Sequence, residues 1–175
     1  MGRIPHTQDF DTERDYSIAT ECMRKLQVEH LRNRKYPTLS GGEQQRIQLA
    51  RALAQIWDRI NQDKPCYLLL DEPTSSLDIA HQHQLLNLLK ELTEKRVTVF
   101  VIIHDLNLSA QYGDLIHVMK EGTCIASGPT EHVFQSNIIE HAFECPVHIV
   151  QNPYANCPLI VSGSPNAQPV SASPY

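Results

Sequence analysis

Residues 66–72 read Cys66-Tyr67-Leu68-Leu69-Leu70-Asp71-Glu72, a continuous apolar run that stops on two carboxylates. The run is short for a core helix and bounded by Pro65 and Pro73, so it predicts a buried strand of a parallel sheet. Val97 to Ile103 is a second such run, rich in β-branched side chains, with His104 at its end. Helical patterns surround both. Ile18, Cys22 and Leu26 recur every four positions between Thr12 and about Leu31, with Met23 alongside. A helix from Ser40 to about Ile60 carries Ile47, Ala50, Leu53, Ala54 and Trp57 on one face. Asp78 caps a third helix whose buried face is Leu85, Leu86, Leu89 and Leu92. Helix alternating with strand implies an α/β fold, a parallel sheet wrapped by helices. In such sheets chemistry gathers at the carboxyl ends of the strands, where Asp71-Glu72 and His104 both stand.

Further out the signals weaken. A short helix follows His104 to about Tyr112, and Leu115–Met119 and Cys124–Ser127 flank Lys120-Glu121-Gly122-Thr123 as a β-hairpin. Two short helices are expected over 130–135 and 137–143, and Val147–Val150 with Leu159–Val161 as a terminal ribbon. The first eleven residues are polar and turn-like, and a Ser/Pro/Ala/Asn tail begins at Ser162.

Composition bounds the function. The 175 residues carry 15 Lys+Arg against 20 Asp+Glu, a formal net charge of −5, which disfavours a basic nucleic-acid binder. With 41% hydrophobic residues the chain is globular in composition. No apolar run approaches the roughly 18–20 residues of a spanning helix. Five cysteines, an odd set without C-x-x-C, favour reduced thiols. None of the seven glycines precedes a lysine.

Leu39-Ser40-Gly41-Gly42-Glu43 has two readings. Ser40 and Glu43 are spaced as a capping box, an ordinary helix start. Two consecutive glycines cost helix propensity, about 1 kcal/mol each, and leave backbone amides open at the positive end of a helix dipole, which suits a phosphate. Asp71 at a strand end holds Mg²⁺ or merely begins a turn. Glu72, pointing to the other side of the chain, can polarise a water for attack on phosphorus. His104 is either a polar exit or a hydrogen-bond donor to a phosphate oxygen or attacking water. His81 and His83, two apart on a helix, do not face one side and make a poor metal pair.

In this order and spacing, Leu39-Ser40-Gly41-Gly42-Glu43-Gln44-Gln45-Arg46, Leu68–Asp71 with Glu72, Ser76-Leu77-Asp78 and His104 together resemble the ATP-binding-cassette (ABC) ATPases over about residues 1–145. The resemblance implies a P-loop NTPase fold represented in part, with residues 1–60 in a helical signature region and 66–145 spanning Walker B to the H-loop and the C-terminal elements. Residues 146–175 would form the ribbon and tail. It implies ATP and Mg²⁺ as cofactors, Ser40, Gly41, Gly42 and Glu43 as a signature contacting the ATP of a partner protomer, and Asp78 in the D-loop. Asp71 would serve Mg²⁺, with Glu72 as catalytic base and His104 as switch histidine. Arg51–Trp57, the polar stretch to Pro65, Ile79–Gln84 and Gly2-Arg3-Ile4-Pro5-His6 are similar to the hemin-import branch, although importers of ferric siderophores and cobalamin share much of the pattern.

The chain contains no G-x-x-x-x-G-K-[ST]. The Q-loop and adenine-stacking aromatic of the family are also absent. The expectation is therefore of the C-terminal part of a longer ATPase without its Walker A strand, with negligible ATP affinity alone and an apolar strand edge left unpaired beside Cys66–Leu70. The implied partners are a second ATPase subunit in a homodimer, inner-membrane permease subunits and, indirectly, a periplasmic heme-binding protein, with no nucleic acid. The implied location is the cytoplasmic face of the bacterial inner membrane. A non-transport cassette relative would add heptads or paired C-x-x-C, which are missing here. A non-enzymatic fragment that docks on a complete cassette is the remaining class.

Overall fold

The structure is a computed structural model that describes Arg3 and residues 12–164. The expected turn-like start, apart from Arg3, and the tail beyond residue 164 lie outside the described residues, as does most of the Gly2–His6 stretch. The chain divides into two compact units, Met1–Ile103 and His104–Tyr175.

In the first unit α1 (Glu13–Lys25) is followed by two single 3-10 turns, then α2 (Gly41–Asn61), β1 (Cys66–Asp71), α3 (Ile79–Thr93) and β2 (Val97–Ile102). The first helix is shorter than its periodicity implies. It stops because Gln27 takes φ +56, after which Val28 and Leu31 are buried from a non-helical path. Its stripe is as expected: Ile18, Cys22 and Leu26 are all buried. Thr12 and Asp15 form a capping box at its start.

Arg3 ties α1 to α2. Its guanidinium is 6% exposed and reaches Asp15 at 2.8 Å, Asp58 at 2.5 Å and the Ala54 carbonyl at 3.1 Å. Arg14 adds a second contact to Asp58 at 2.7 Å. The hydroxyl of Thr12 and then Arg3 hold the Asp15 carboxyl far below its usual range. Lys25 lies 6.0 Å from the ring centre of Trp57 on α2. A buried cation with two carboxylates and a carbonyl leaves few of its donors unmet, which is the condition for a buried charge to be tolerated.

Strands β1 and β2 pair in parallel from Cys66↔Val97 to Asp71↔Ile102. Both were expected to be buried throughout. Instead they alternate: Cys66, Leu68 and Val97 are buried under α2 and α3, while Tyr67, Leu69, Phe100 and Ile102 are more than half exposed. Successive strand side chains leave opposite faces, and α2 and α3 pack on one face only. Leu85, Leu86, Leu88, Leu89 and Leu92 of α3 complete the covered side.

In the second unit α4 (Leu106–Tyr112) precedes the hairpin β3 (Ile116–Lys120) and β4 (Thr123–Gly128), then α5 (Thr130–Val133), α6 (Ser136–Phe143) and the antiparallel ribbon β5 (Val147–Gln151) and β6 (Pro158–Ser162). The hairpin turns on Glu121 and Gly122, both at positive φ, the tight two-residue geometry its sequence predicts. Ala110, Phe134, Ile139 and Ile160 form the core. One device was not foreseen. Asn107 accepts from the Ile160 amide at 2.7 Å and donates to the Ile160 carbonyl at 3.2 Å. A side-chain amide thereby stands in for a neighbouring strand and fastens the ribbon to α4.

Candidate functional site

Ser40 caps α2 with extended backbone, and its amide and hydroxyl both donate to Glu43 Oε2, at 2.7 and 2.9 Å. These bonds, the amide first, hold the Glu43 carboxyl below its ordinary value. The ordinary capping reading is thus realised, and the Ser40 hydroxyl is engaged within its own turn.

The two glycines differ. A Cβ on Gly41 would meet nothing closer than Ser76 Cβ and Oγ at 3.9 Å, so a side chain would find room there. A Cβ on Gly42 would stand 2.8 Å from the Ser76 carbonyl oxygen. Gly42 is required by close backbone approach between the start of α2 and the loop after β1. Sequence reasoning assigned both glycines to phosphate, and for Gly42 the structure adds this packing reason.

Asp71 ends β1 as an exposed residue opposite Ile102. Glu72 follows at φ +45, a left-handed conformation that costs an L residue about 1–3 kcal/mol. Several bonds hold it there. Its amide donates to the Ile102 carbonyl at 3.1 Å, and its own carbonyl accepts from the Ser75 amide at 3.2 Å, Ser75 Oγ at 3.0 Å and Gln45 Nε2 at 2.8 Å. The reversal of direction at Glu72 lets Pro73 and Thr74 turn inward, where both are buried.

Gln45 also accepts from the Ser76 amide at 3.1 Å. The α2 start and the Glu72–Asp78 loop are therefore joined through one side chain. In the sequence Gln45 simply continues the helix; its position three and four residues after the glycines, on their face, is the one signal of this role. Asp78 caps α3, accepting from the His81 amide at 2.9 Å. Its carboxylate also meets His81 Nδ1 at 2.8 Å, and these contacts, the amide first, lower its pKa. His81 is accordingly a partner of Asp78.

His104 opens the second unit as an exposed residue just before α4, whose N-cap Asp105 accepts from the amides of Asn107 and Leu108. Within the first unit Gln45 thus links the turn that begins at Ser40 to the Glu72–Ser76 loop, which Asp71 precedes and Asp78 follows, and His104 belongs to the second unit.

The donors fit the expected ligands. Arg46, in the same turn as Gln45, has a buried Nε with no hydrogen-bond partner, which suits a nearby anion. Among the described residues no group of three or more His, Cys, Asp or Glu could hold a metal by itself. A single strand-end carboxylate suits Mg²⁺, which binds through one or two carboxylates plus phosphate oxygens and keeps waters. No helix among the described residues is long and apolar enough to cross a membrane.

Known proteins carry the same architecture. The family model for ABC transporters matches residues 4–75. The hemin import ATP-binding protein of Gloeobacter violaceus is 45% identical over 92% of this chain and 58% of its own length. That of Deinococcus radiodurans is 44% identical over 94% and 61%. The chain thus spans about three fifths of the length of these relatives. Among solved structures, an inward-facing ABC transporter of metal-chelate type superposes with a TM-score of 0.74 at 28% identity over 93% of this chain and 64% of that one. The bacterial cassette MJ0796, solved as a dimer, gives 0.62 at 31% identity over 73% and 52%. These neighbours are ABC cassettes of P-loop NTPase fold, of which this chain covers a part, and over most of its length the chain is similar to the ATPases of ABC transporters.

Proposed function

We propose that this chain works as part of the ATP-hydrolysing subunit of a bacterial importer, with hemin as cargo. The observation that carries the reading is the junction of the Ser40-Gly41-Gly42 turn to the Asp71-Glu72 strand exit through Gln45. The cargo assignment rests on the likeness to the two hemin import proteins.

In this reading the Gly41 amide and the Ser40 hydroxyl, released from Glu43, receive a phosphate at the positive end of α2. ATP lies between this turn and the phosphate loop of a second cassette subunit. Glu72 accepts a proton from the attacking water, and its fixed backbone aims the carboxylate. His104 donates to a γ-phosphate oxygen. Asp71 holds Mg²⁺, which when bound neutralises charge developing on the phosphates. Permease subunits of the inner membrane receive the motion, placing the protein on the cytoplasmic face.

The test joins the whole 175-residue chain behind a segment supplying G-x-x-x-x-G-K-[ST] from an ABC cassette. The fusion should hydrolyse Mg-ATP, and Glu72→Gln should lower kcat by at least about a hundredfold, the low end for a positioned general base. Unchanged turnover removes Glu72 from the base role. Reconstituted with permease subunits from neighbouring genes, hemin should stimulate hydrolysis. The likeness to a metal-chelate transporter favours a second cargo reading, a ferric siderophore or cobalamin. Stimulation by those chelates and not by hemin would select it. Added unfused to a complete cassette, the chain should change that cassette's hydrolysis if it docks as a partner.

A further inference from the structure

We infer that Gln45 is a positioning residue that couples the phosphate-binding turn of α2 to the catalytic base. The inference rests on the reading of Glu72 as base and Ser40–Gly42 as phosphate site. Gln45 Nε2 donates to the Glu72 carbonyl at 2.8 Å and stands 3.4 Å from Ser75 Oγ, while Oε1 accepts from the Ser76 amide at 3.1 Å. A planar amide holds its donor and acceptor in one fixed relation, so both ends of the Glu72–Ser76 turn are referred to a single point on α2. Gly42 brings the Ser76 backbone close enough for this bridge to form.

The carbonyl that Gln45 holds belongs to the residue at φ +45. A left-handed L residue keeps that conformation only while its surroundings over-determine it. Fixing the peptide that leaves Glu72 fixes the direction in which its side chain departs. A shift of the α2 start when an anion arrives is therefore passed to Glu72 through one side chain, and the base is aimed only when the turn is seated.

The test uses the fusion described above and, separately, the 175-residue chain by itself. Gln45→Met keeps the volume and removes both polar atoms. Gln45→Glu keeps the acceptor for Ser76 and sets a carboxylate oxygen against the Glu72 carbonyl. Each should lower kcat for Mg-ATP by about tenfold, the worth of one well-placed hydrogen bond, with KM within about twofold because the effect falls in the transition state. A purely structural role would lower the melting temperature and the folded fraction while kcat per folded molecule stayed constant, and that result overturns the inference. In the lone chain, Gln45→Met should speed amide exchange over residues 74–78 and leave the interior of α3 unchanged; unaltered exchange at Ser76 also overturns it. The two levels separate cleanly. A fusion in which Glu72→Gln is as fast as the parent ends the reading of the site, whereas slow Glu72→Gln with fast Gln45→Met ends the inference alone. A fusion without activity ends the reading, and with it the coupling to catalysis.

Discussion

A Cβ placed on Gly42 would stand 2.8 Å from the carbonyl oxygen of Ser76, while one on the adjacent Gly41 would find only ordinary contact at 3.9 Å. The two glycines therefore predict opposite phenotypes. Gly42→Ala should push the loop from α2 and destabilise the fold by about 1–3 kcal/mol, the usual range for overpacking. Gly41→Ala should melt close to the parent, because alanine also favours the helix, and should instead weaken nucleotide contact. Thermal melts of the two variants check this, and equal losses of stability would refute it.

Glu43 takes both donors of Ser40 and places a negative charge beside the turn assigned to phosphate. Glu43→Gln keeps an acceptor for the cap and removes the charge. In the fusion, KM for Mg-ATP should fall by about twofold to fivefold, the range of one partly screened charge at a helix start. A rise in KM would show that the carboxylate helps binding.

The Arg3–Asp15–Asp58 cluster predicts an acid limit to stability. Asp15 is lowered by Thr12 and then Arg3, and Asp58 by Arg14 and then Arg3. A carboxylate depressed on folding contributes stability that is full above its unfolded value, about 4, and is lost as pH falls through the folded value. The melting temperature should hold above about pH 5 and decline below about pH 4. Arg3→Met should lower it near neutrality and flatten the decline.

Burial divides the thiols. Burial pushes Cys22 up to about 12, and it raises Cys66 as well, whereas Cys124 is exposed. Iodoacetamide at neutral pH should modify Cys124 first and reach Cys22 and Cys66 only after denaturation, since the thiolate is the nucleophile. Peptide mapping reads the order.

Asn107→Leu should loosen the ribbon. It removes both bonds to Ile160 and leaves a partly buried amide and carbonyl unpaired, at a cost of about 1–3 kcal/mol. Limited proteolysis should then cut within residues 147–162 earlier than in the parent. An unchanged pattern would show that the Ile160 side chain alone seats β6.

Much of this was legible in the chain itself. The Ser40–Glu43 capping box, the Glu121-Gly122 turn and the stripes Ile18-Cys22-Leu26 and Leu85–Leu92 follow from local spacing, because hydrogen-bond reach and helical period are set within a few residues. The candidate site was legible as a set of types at strand and helix ends: Ser40, Gly41, Gly42 and Glu43 at one, Asp71 and Glu72 at another, Asp78 and His104 beyond. The early stop of α1 at Gln27 was not, since a positive φ leaves no mark on residue type. Nor was the half-exposed state of β1 and β2. Tyr67, Leu69, Phe100 and Ile102 read as core because an apolar run does not say how many faces are covered.

By itself, then, the sequence determined the order of elements, the capping chemistry and the resemblance to ABC ATPases, and it nominated the residues proposed to meet phosphate, Mg²⁺ and water. Only the tertiary structure decided that Gly42 is a packing residue against Ser76, that Gln45 holds Glu72 and Ser76 from 27 and 31 positions away, and that Asn107 completes the edge of β6. These are contacts between segments distant in the chain. Their partners are chosen by how helices and strands stack, and no local propensity or spacing encodes that choice.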